Sequence, residues 1–239
     1  MNSQKIVLIT GVSREMGLGF EIAKKFKANN YQVIITARNF EKVNELAQLI
    51  GVIPLQLDIT SNQSVHEAVK VIELQFGKLD VLVNNAATNF DFGGEALTSD
   101  LNVVKETLET NLIGTWRMSQ AFVALLKKSE NGRLINVGSA AGSFSDTELG
   151  LFTNPGNFPI YGISKTAINA LTVKLALELK DTKIKVNSVC PGLIATYPGM
   201  SESGAKPVSQ GADSIYWAAT INEDGPTGGF FRNGIPLSW

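Results

Sequence analysis

The chain has 239 residues, 44% of them hydrophobic, and a net charge of −1. That is enough to bury a substantial core as one domain, and the near-neutral balance gives no electrostatic case for a nucleic-acid or anionic-membrane partner. One cysteine cannot form an internal disulfide, and one histidine with scattered carboxylates cannot assemble the usual transition-metal set.

Strand and helix patterns alternate from the start. Ile6–Thr10 is a short continuous apolar run, as buried parallel strands have. Glycines follow at Gly11, Gly17 and Gly19, and apolar residues at helical spacing predict a helix over Leu18–Ala28. A strand, a glycine turn and a helix aim backbone N–H groups at a phosphate, although the spacing departs from the common G-x-G-x-x-G pattern. A second strand, Val33–Ala37, ends at Arg38. In a dinucleotide-binding fold the adenosine ribose lies at that corner, where an acidic residue suits a 2′-hydroxyl and a cation suits a 2′-phosphate. Arg38, with Arg14 projecting from the glycine turn, favours NADP(H) over NAD(H).

Further strands are predicted at Ile53–Leu57, Val81–Asn84, Leu134–Val137, Val186–Val189 and Gly229–Phe231. Helices are predicted at Glu41–Leu49, Gln63–Phe76, Tyr161–Leu179 and Val208–Thr220, with one unbroken helix over Leu101–Lys128. The alternation predicts an α/β, doubly wound, mostly parallel sheet of about seven strands in a single domain, residues 1–239. The strand from Arg133 delivers Ser139 at its C-terminal end, the edge where ligands sit in open parallel sheets. Ala141–Pro159 and Ala195–Pro207 read as loops. No run approaches the ~18 apolar residues of a membrane span, and Ile6–Ile9 is too short for a signal-peptide core, so a cytoplasmic protein is expected.

Tyr161 and Lys165 stand four apart on one predicted helix, which puts them on one face with Cβ atoms about 5–6 Å apart. A free phenol titrates near ~10. A cation beside it favours the phenolate and is expected to bring the pKa toward neutrality. Such pairs also arise by chance on solvated helices. Here the phosphate turn, the arginine corner and the serine strand supply what a working pair would need.

With these residues in place, the chain resembles the short-chain dehydrogenase/reductase family over nearly its whole length. Thr10 to Gly19 is similar to the family's Thr-Gly-x-x-x-Gly-x-Gly turn with two extra residues before Gly17, and Asp58 resembles its adenine-contacting aspartate. Asn84-Asn85-Ala86-Ala87 resembles its Asn-Asn-Ala-Gly strand end, with alanine for the glycine. Asn111, Ser139, Tyr161 and Lys165 fill its catalytic positions. Asp224 to Trp239 is more similar to the carbonyl-reductase-like branch than to the compact acyl-carrier-type reductases. The resemblance implies cofactor contacts at Gly11, Ser13, Arg14, Gly17, Leu18, Gly19, Arg38, Asp58, Ile59, Asn85, Tyr161, Lys165, Pro191, Gly192, Ile194 and Thr196.

It further implies reversible reduction, with NADPH, of a small apolar aldehyde, ketone or quinone. Tyr161 would donate the proton and Ser139 orient the carbonyl oxygen. Lys165 would lower the tyrosine pKa and bind the nicotinamide ribose, and Asn111 would hold a water linking Lys165 to solvent. Two other classes stay open. A non-catalytic NADP(H)-binding regulatory protein would need only the cofactor half. An epimerase or dehydratase of the extended branch would carry a C-terminal substrate domain, and only about forty residues follow Thr196.

Several residues read as structural. His66 is expected on a helix surface, Cys190 as a small core residue beside the nicotinamide loop, and Phe230, Phe231 and Trp239 as packing. Ser139 has no histidine to activate it as a hydrolase nucleophile. The stretch between Ser139 and Tyr161 carries Phe144, Leu149, Leu151, Phe152 and Phe158, with a turn at Asn154-Pro155-Gly156-Asn157. Loops of this length tend to be functional, so it is expected to wall an apolar substrate pocket. The competing expectation, of nearly equal weight, is an element of a homodimer or homotetramer interface.

Overall fold

The computed structural model describes residues 4–88, 91, 93–152 and 158–239. The apolar runs form β1 (Ile6–Ile9), β2 (Gln32–Ala37), β3 (Ile53–Gln56), β4 (Val81–Asn84), β5 (Arg133–Val137), β6 (Lys185–Val189) and β7 (Phe230–Arg232), followed by β8 (Ile235–Pro236). They lie in the order β3-β2-β1-β4-β5-β6-β7-β8. Every neighbouring pair through β7 is parallel, and β8 returns antiparallel. The expected sheet of about seven strands therefore gains an eighth, whose two residues are too few for any periodicity to announce. β7 also runs one residue later than expected, which places Arg232 at its end.

Alternation sorts β1 between two layers. Val7 and Ile9 pack with Phe26 of α1 (Leu18–Ala28), Leu46 of α2 (Phe40–Ile50) and Ile215 of α7 (Val208–Thr220). Ile6 and Leu8 pack on the other face with Ile72 of α3 (Asn62–Phe76), Phe122 of α5 (Thr115–Lys127) and Ala176 of α6 (Pro159–Glu178). Strands covered on both faces are mostly apolar, with buried polar residues such as Asn84, Asn136 and Ser188 towards the ends of β4, β5 and β6. β1 pairs with β2 on one side and β4 on the other, so the order of winding reverses there and opens a crevice at the strands' C-terminal ends.

The helix expected over Leu101–Lys128 is broken. It runs as α4 (Leu101–Leu108), a π-helical segment (Glu109–Gly114) and α5. The wider turn accommodates an extra residue and carries Asn111, fully buried, to face α6. Gly114 is required there, because a Cβ would fall 2.7 Å from Ile59 Cδ1. α6 begins two residues earlier than expected, which sets Tyr161 in its first turn. The predicted turn at Asn154–Asn157 lies outside the described residues.

Candidate active site

The glycine turn is a backbone cradle. Gly11 has φ +71°, and a Cβ there would lie 2.5 Å from Ala86 Cα. At Gly19 it would meet Asn85 Nδ2 at 2.7 Å. Asn85 locks the turn to β4 by donating from Nδ2 to the Thr10 carbonyl at 2.8 Å, while its own N–H donates to Thr10 Oγ1 at 3.0 Å. α1 opens at Gly17 with no side-chain cap, so the amides of Leu18 and Gly19 can serve an anion, while that of Phe20 already donates to the Gly17 carbonyl at 3.2 Å. This arrangement fits the pyrophosphate of a dinucleotide. Ala87 is exposed and takes no positive φ, so alanine is accommodated where the family has glycine.

At the adenosine end, Arg38 is exposed beyond β2. Asp58 Oδ1 accepts from Thr60 N at 2.9 Å and Thr60 Oγ1 at 2.7 Å. Burial pushes its carboxyl upward, but these bonds and the nearby Arg38 and Arg117 charges hold it below the ordinary carboxylate value. Ile59 is buried and its carbonyl accepts from Arg117 Nη1 at 2.7 Å. Arg14 is exposed as well, but it stacks on a neighbour. Its guanidinium carbon lies 3.9 Å from the centroid of the Tyr197 ring, which ties the glycine turn, Ser13 included, to the loop after β6. In that loop Gly192 has φ +82°, Ile194 bridges Lys206, and Thr196 Oγ1 points to Met200 Sδ at 3.8 Å, past the bend at Pro191.

Ser139 leaves the end of β5 in an extended conformation, and its Oγ accepts from Ala141 N at 3.2 Å. Lys165 is buried, its Nζ donating to the Val137 carbonyl at 2.7 Å and lying 5.3 Å from the Tyr161 ring centroid. Burial, more than any neighbouring charge, sets the Tyr161 phenol here. Burial raises the Tyr161 phenol well above its ordinary value, and the Ser139 hydroxyl bonded to it only partly offsets this. Burial lowers Lys165 to about 8, so the lysine still carries most of its charge at neutral pH but gives up its proton more readily than a solvated lysine. Desolvation penalises the ionised form of each.

Asn111 is held between the segment after β4 and α6. Its Oδ1 accepts from Thr88 N at 2.8 Å, and its Nδ2 donates to the Thr88 carbonyl at 3.2 Å and to Ser164 Oγ at 3.0 Å. The side-chain amide is thus shared between two neighbouring elements, and its Oδ1 has acceptor capacity left beyond the Thr88 N–H.

Residues 5–206 match the family model for short chain dehydrogenase. The chain belongs to the short-chain dehydrogenase family. The NADP-dependent 3-hydroxy acid dehydrogenase of Schizosaccharomyces pombe is 31% identical over 223 residues, covering 89% of this chain and 79% of that one. Among solved structures, ElxO with NADP bound superposes with a TM-score of 0.84 at 29% identity, covering 97% of this chain and 98% of its own. The NADPH-bound carbonyl reductase from chicken fatty liver gives 0.86 at 24% identity over 99% of each chain, a likeness of fold.

As a short-chain dehydrogenase, the protein is an oxidoreductase, and its site holds residues that its local patterns do not announce. Leu149 of the long loop packs on a small cluster of Ala140, Cys190 and Phe230. Arg232 Nη2 lies 3.5 Å from Asp146 Oδ2, joining β7 to the same loop. Trp239 stacks on Phe230 at 5.6 Å, and Phe231 packs against Trp217 at 5.1 Å, so these rings serve packing as expected. His66 is exposed on α3. Under the site, Asn84 Nδ2 donates to Asn136 Oδ1 and Asn136 Nδ2 to Thr172 Oγ1, each at 2.9 Å, linking β4, β5 and α6. A polar or small residue inside an apolar strand was the only available signal for these.

Proposed function

We propose that this protein reduces the carbonyl group of a small, apolar aldehyde, ketone or quinone with NADPH, in reversible chemistry. The observation that carries this reading is the gathering of Ser139, Tyr161 and Lys165 at the C-terminal end of β5, on the same edge of the parallel sheet as the glycine cradle after β1. NADP(H) is favoured by the exposed Arg38 at the end of β2, which suits a 2′-phosphate, and both ElxO and the chicken carbonyl reductase are NADP(H)-bound structures.

NADPH supplies the hydride when bound. Tyr161 holds its proton at neutral pH, because burial raises its phenol. An alkoxide is more basic still, so proton transfer from the phenol to the developing alkoxide runs downhill. Ser139 hydrogen-bonds the carbonyl oxygen and orients it toward the phenol. Lys165, with a pKa near 8, keeps enough charge at neutral pH to stabilise the phenolate left behind.

Apolar substrates are supported by the aromatic residues of the stretch between Ser139 and Tyr161. Phe144 and Phe152 are 54% and 83% exposed, with ring centroids 6.2 Å apart. Phe158 sits edge-on to Tyr161 at 6.3 Å. The test is consumption of NADPH with a panel of aldehydes, ketones and quinones graded in polarity. Turnover that falls as substrates become more polar is expected. NADPH binding with no turnover across the panel would sink this reading in favour of a regulatory binding protein.

A further inference from the structure

The helix that carries Tyr161 is poorly started by its own sequence. Its N-cap, Phe158, sits in the left-handed region at φ +54° and provides no side-chain cap. Pro159 follows and has no amide to donate. The next two amides are satisfied by one carboxylate from elsewhere in the chain: Asp91 Oδ2 accepts from Ile160 N at 2.8 Å, and Asp91 Oδ1 from Tyr161 N at 3.1 Å. A carboxylate at a helix start satisfies orphan donors and opposes the positive end of the helix dipole.

The carbonyl of Tyr161 is held from the same direction. Ser164 Oγ donates to it at 2.7 Å, and that oxygen accepts from Asn111 Nδ2, which also binds the backbone of Thr88. Thr88 and Asp91 are three residues apart in the segment after β4. One short segment therefore fixes Tyr161 through its amide and, by way of Asn111 and Ser164, through its carbonyl. Lys165 is one turn further along and is anchored independently, to Val137 of β5.

We propose that Asp91 is a positioning residue for the proton transfer: it holds the first turn of α6 so that the Tyr161 phenol stays in register with Ser139 and Lys165. This rests on reading Tyr161 as the proton donor. The physical reason is the strained start of the helix. A first turn opened by a non-glycine residue at positive φ persists only where its surroundings hold it, and Asp91 supplies two of those restraints. Without them the first turn can unwind while the rest of α6, packed against β6 and carrying Lys165, stays in place. The cost then falls on proton transfer and spares cofactor binding.

The experiment compares Asp91→Ala, Asp91→Asn and Tyr161→Phe with the wild type, measuring kcat and KM with a carbonyl substrate and NADPH affinity by fluorescence titration. Asp91→Ala should lose about 10- to 100-fold in kcat, as small misplacements of a reacting group do, with NADPH affinity unchanged. Asp91→Asn, which keeps one acceptor oxygen, should recover part of that loss. Hydrogen exchange should show the Ile160 and Tyr161 amides protected in the wild type and exposed in Asp91→Ala. Wild-type kcat in Asp91→Ala, with Tyr161→Phe inactive, would overturn the positioning role alone. An equal loss of kcat and NADPH affinity would reduce Asp91 to a general structural cap and overturn it too. Active Tyr161→Phe would remove the underlying mechanism and the proposal with it. If Asp91→Ala does not fold, Asp91→Asn and wild-type exchange decide: unchanged kcat in Asp91→Asn, or fast exchange at both amides in the wild type, counts against the proposal.

Discussion

Lys165 Nζ stands 5.3 Å from the centroid of the Tyr161 ring and donates its hydrogen bond to the Val137 carbonyl, at 2.7 Å. The four-residue spacing that pairs these side chains on one helical face thus also buries them together. Each is penalised in its charged form, which keeps the phenol protonated and brings the lysine down to about 8.

That pairing has a consequence for stability. The unfolded chain keeps the Lys165 proton up to its ordinary value of 10.5, whereas the folded protein releases it near 8. Between those values the unfolded state binds more protons, so stability rises with pH. Tyr161, raised in the fold above its ordinary 10.0, acts in the opposite sense, and only above pH 10 where the unfolded phenol ionises first. Thermal denaturation of cofactor-free wild type should therefore gain on Lys165→Met as pH is raised from 8 to 10. A constant difference across that window would contradict the burial argument.

Tyr161→Phe keeps the ring, including its edge contact with Phe158, and removes the proton. Turnover should fall by about 10²–10⁴, the range of a lost general acid, with NADPH affinity nearly intact. Near-wild-type turnover in steady-state assays would count against the mechanism.

Arg38→Ala should weaken NADPH binding by about 1.5–3 kcal/mol, the contribution of a charge-assisted hydrogen bond, and leave NADH binding unchanged. Arg14→Ala should affect both cofactors alike, because its guanidinium braces Tyr197 instead of standing free at the adenosine corner. Calorimetric titration of both variants with both cofactors checks the pair of expectations. A wild-type preference for NADH would overturn the reading of β2.

Gly11→Ala forces a side chain onto φ +71° and into Ala86, 2.5 Å from its Cα. The strain alone is worth roughly 1–3 kcal/mol. The variant should melt lower and bind NADPH more weakly, since relief of the clash must displace the β1 turn from Asn85. A melting curve and NADPH affinity equal to wild type would show that the turn has slack the geometry denies it.

Much of this molecule was legible in its local patterns. Largely apolar runs located seven strands, because a strand covered on both faces has few positions that tolerate a polar side chain without a buried partner. The helices at Leu18–Ala28 and Val208–Thr220 fall where helical spacing places them, and glycine at positions 11 and 19 follows from a turn with no room for Cβ. What depends on distant parts of the chain was not legible. The break at Glu109–Gly114 arises because Asn111 must reach both Thr88 and Ser164, and no local periodicity encodes that. Asp91 lies 70 residues before Tyr161 in sequence, so its capping of α6 exists only once the sheet has brought β4 beside β5. Sequence spacing alone determined that Tyr161 and Lys165 share a face. Tertiary packing decided their charge states, because the penalty for an ion depends on what covers it.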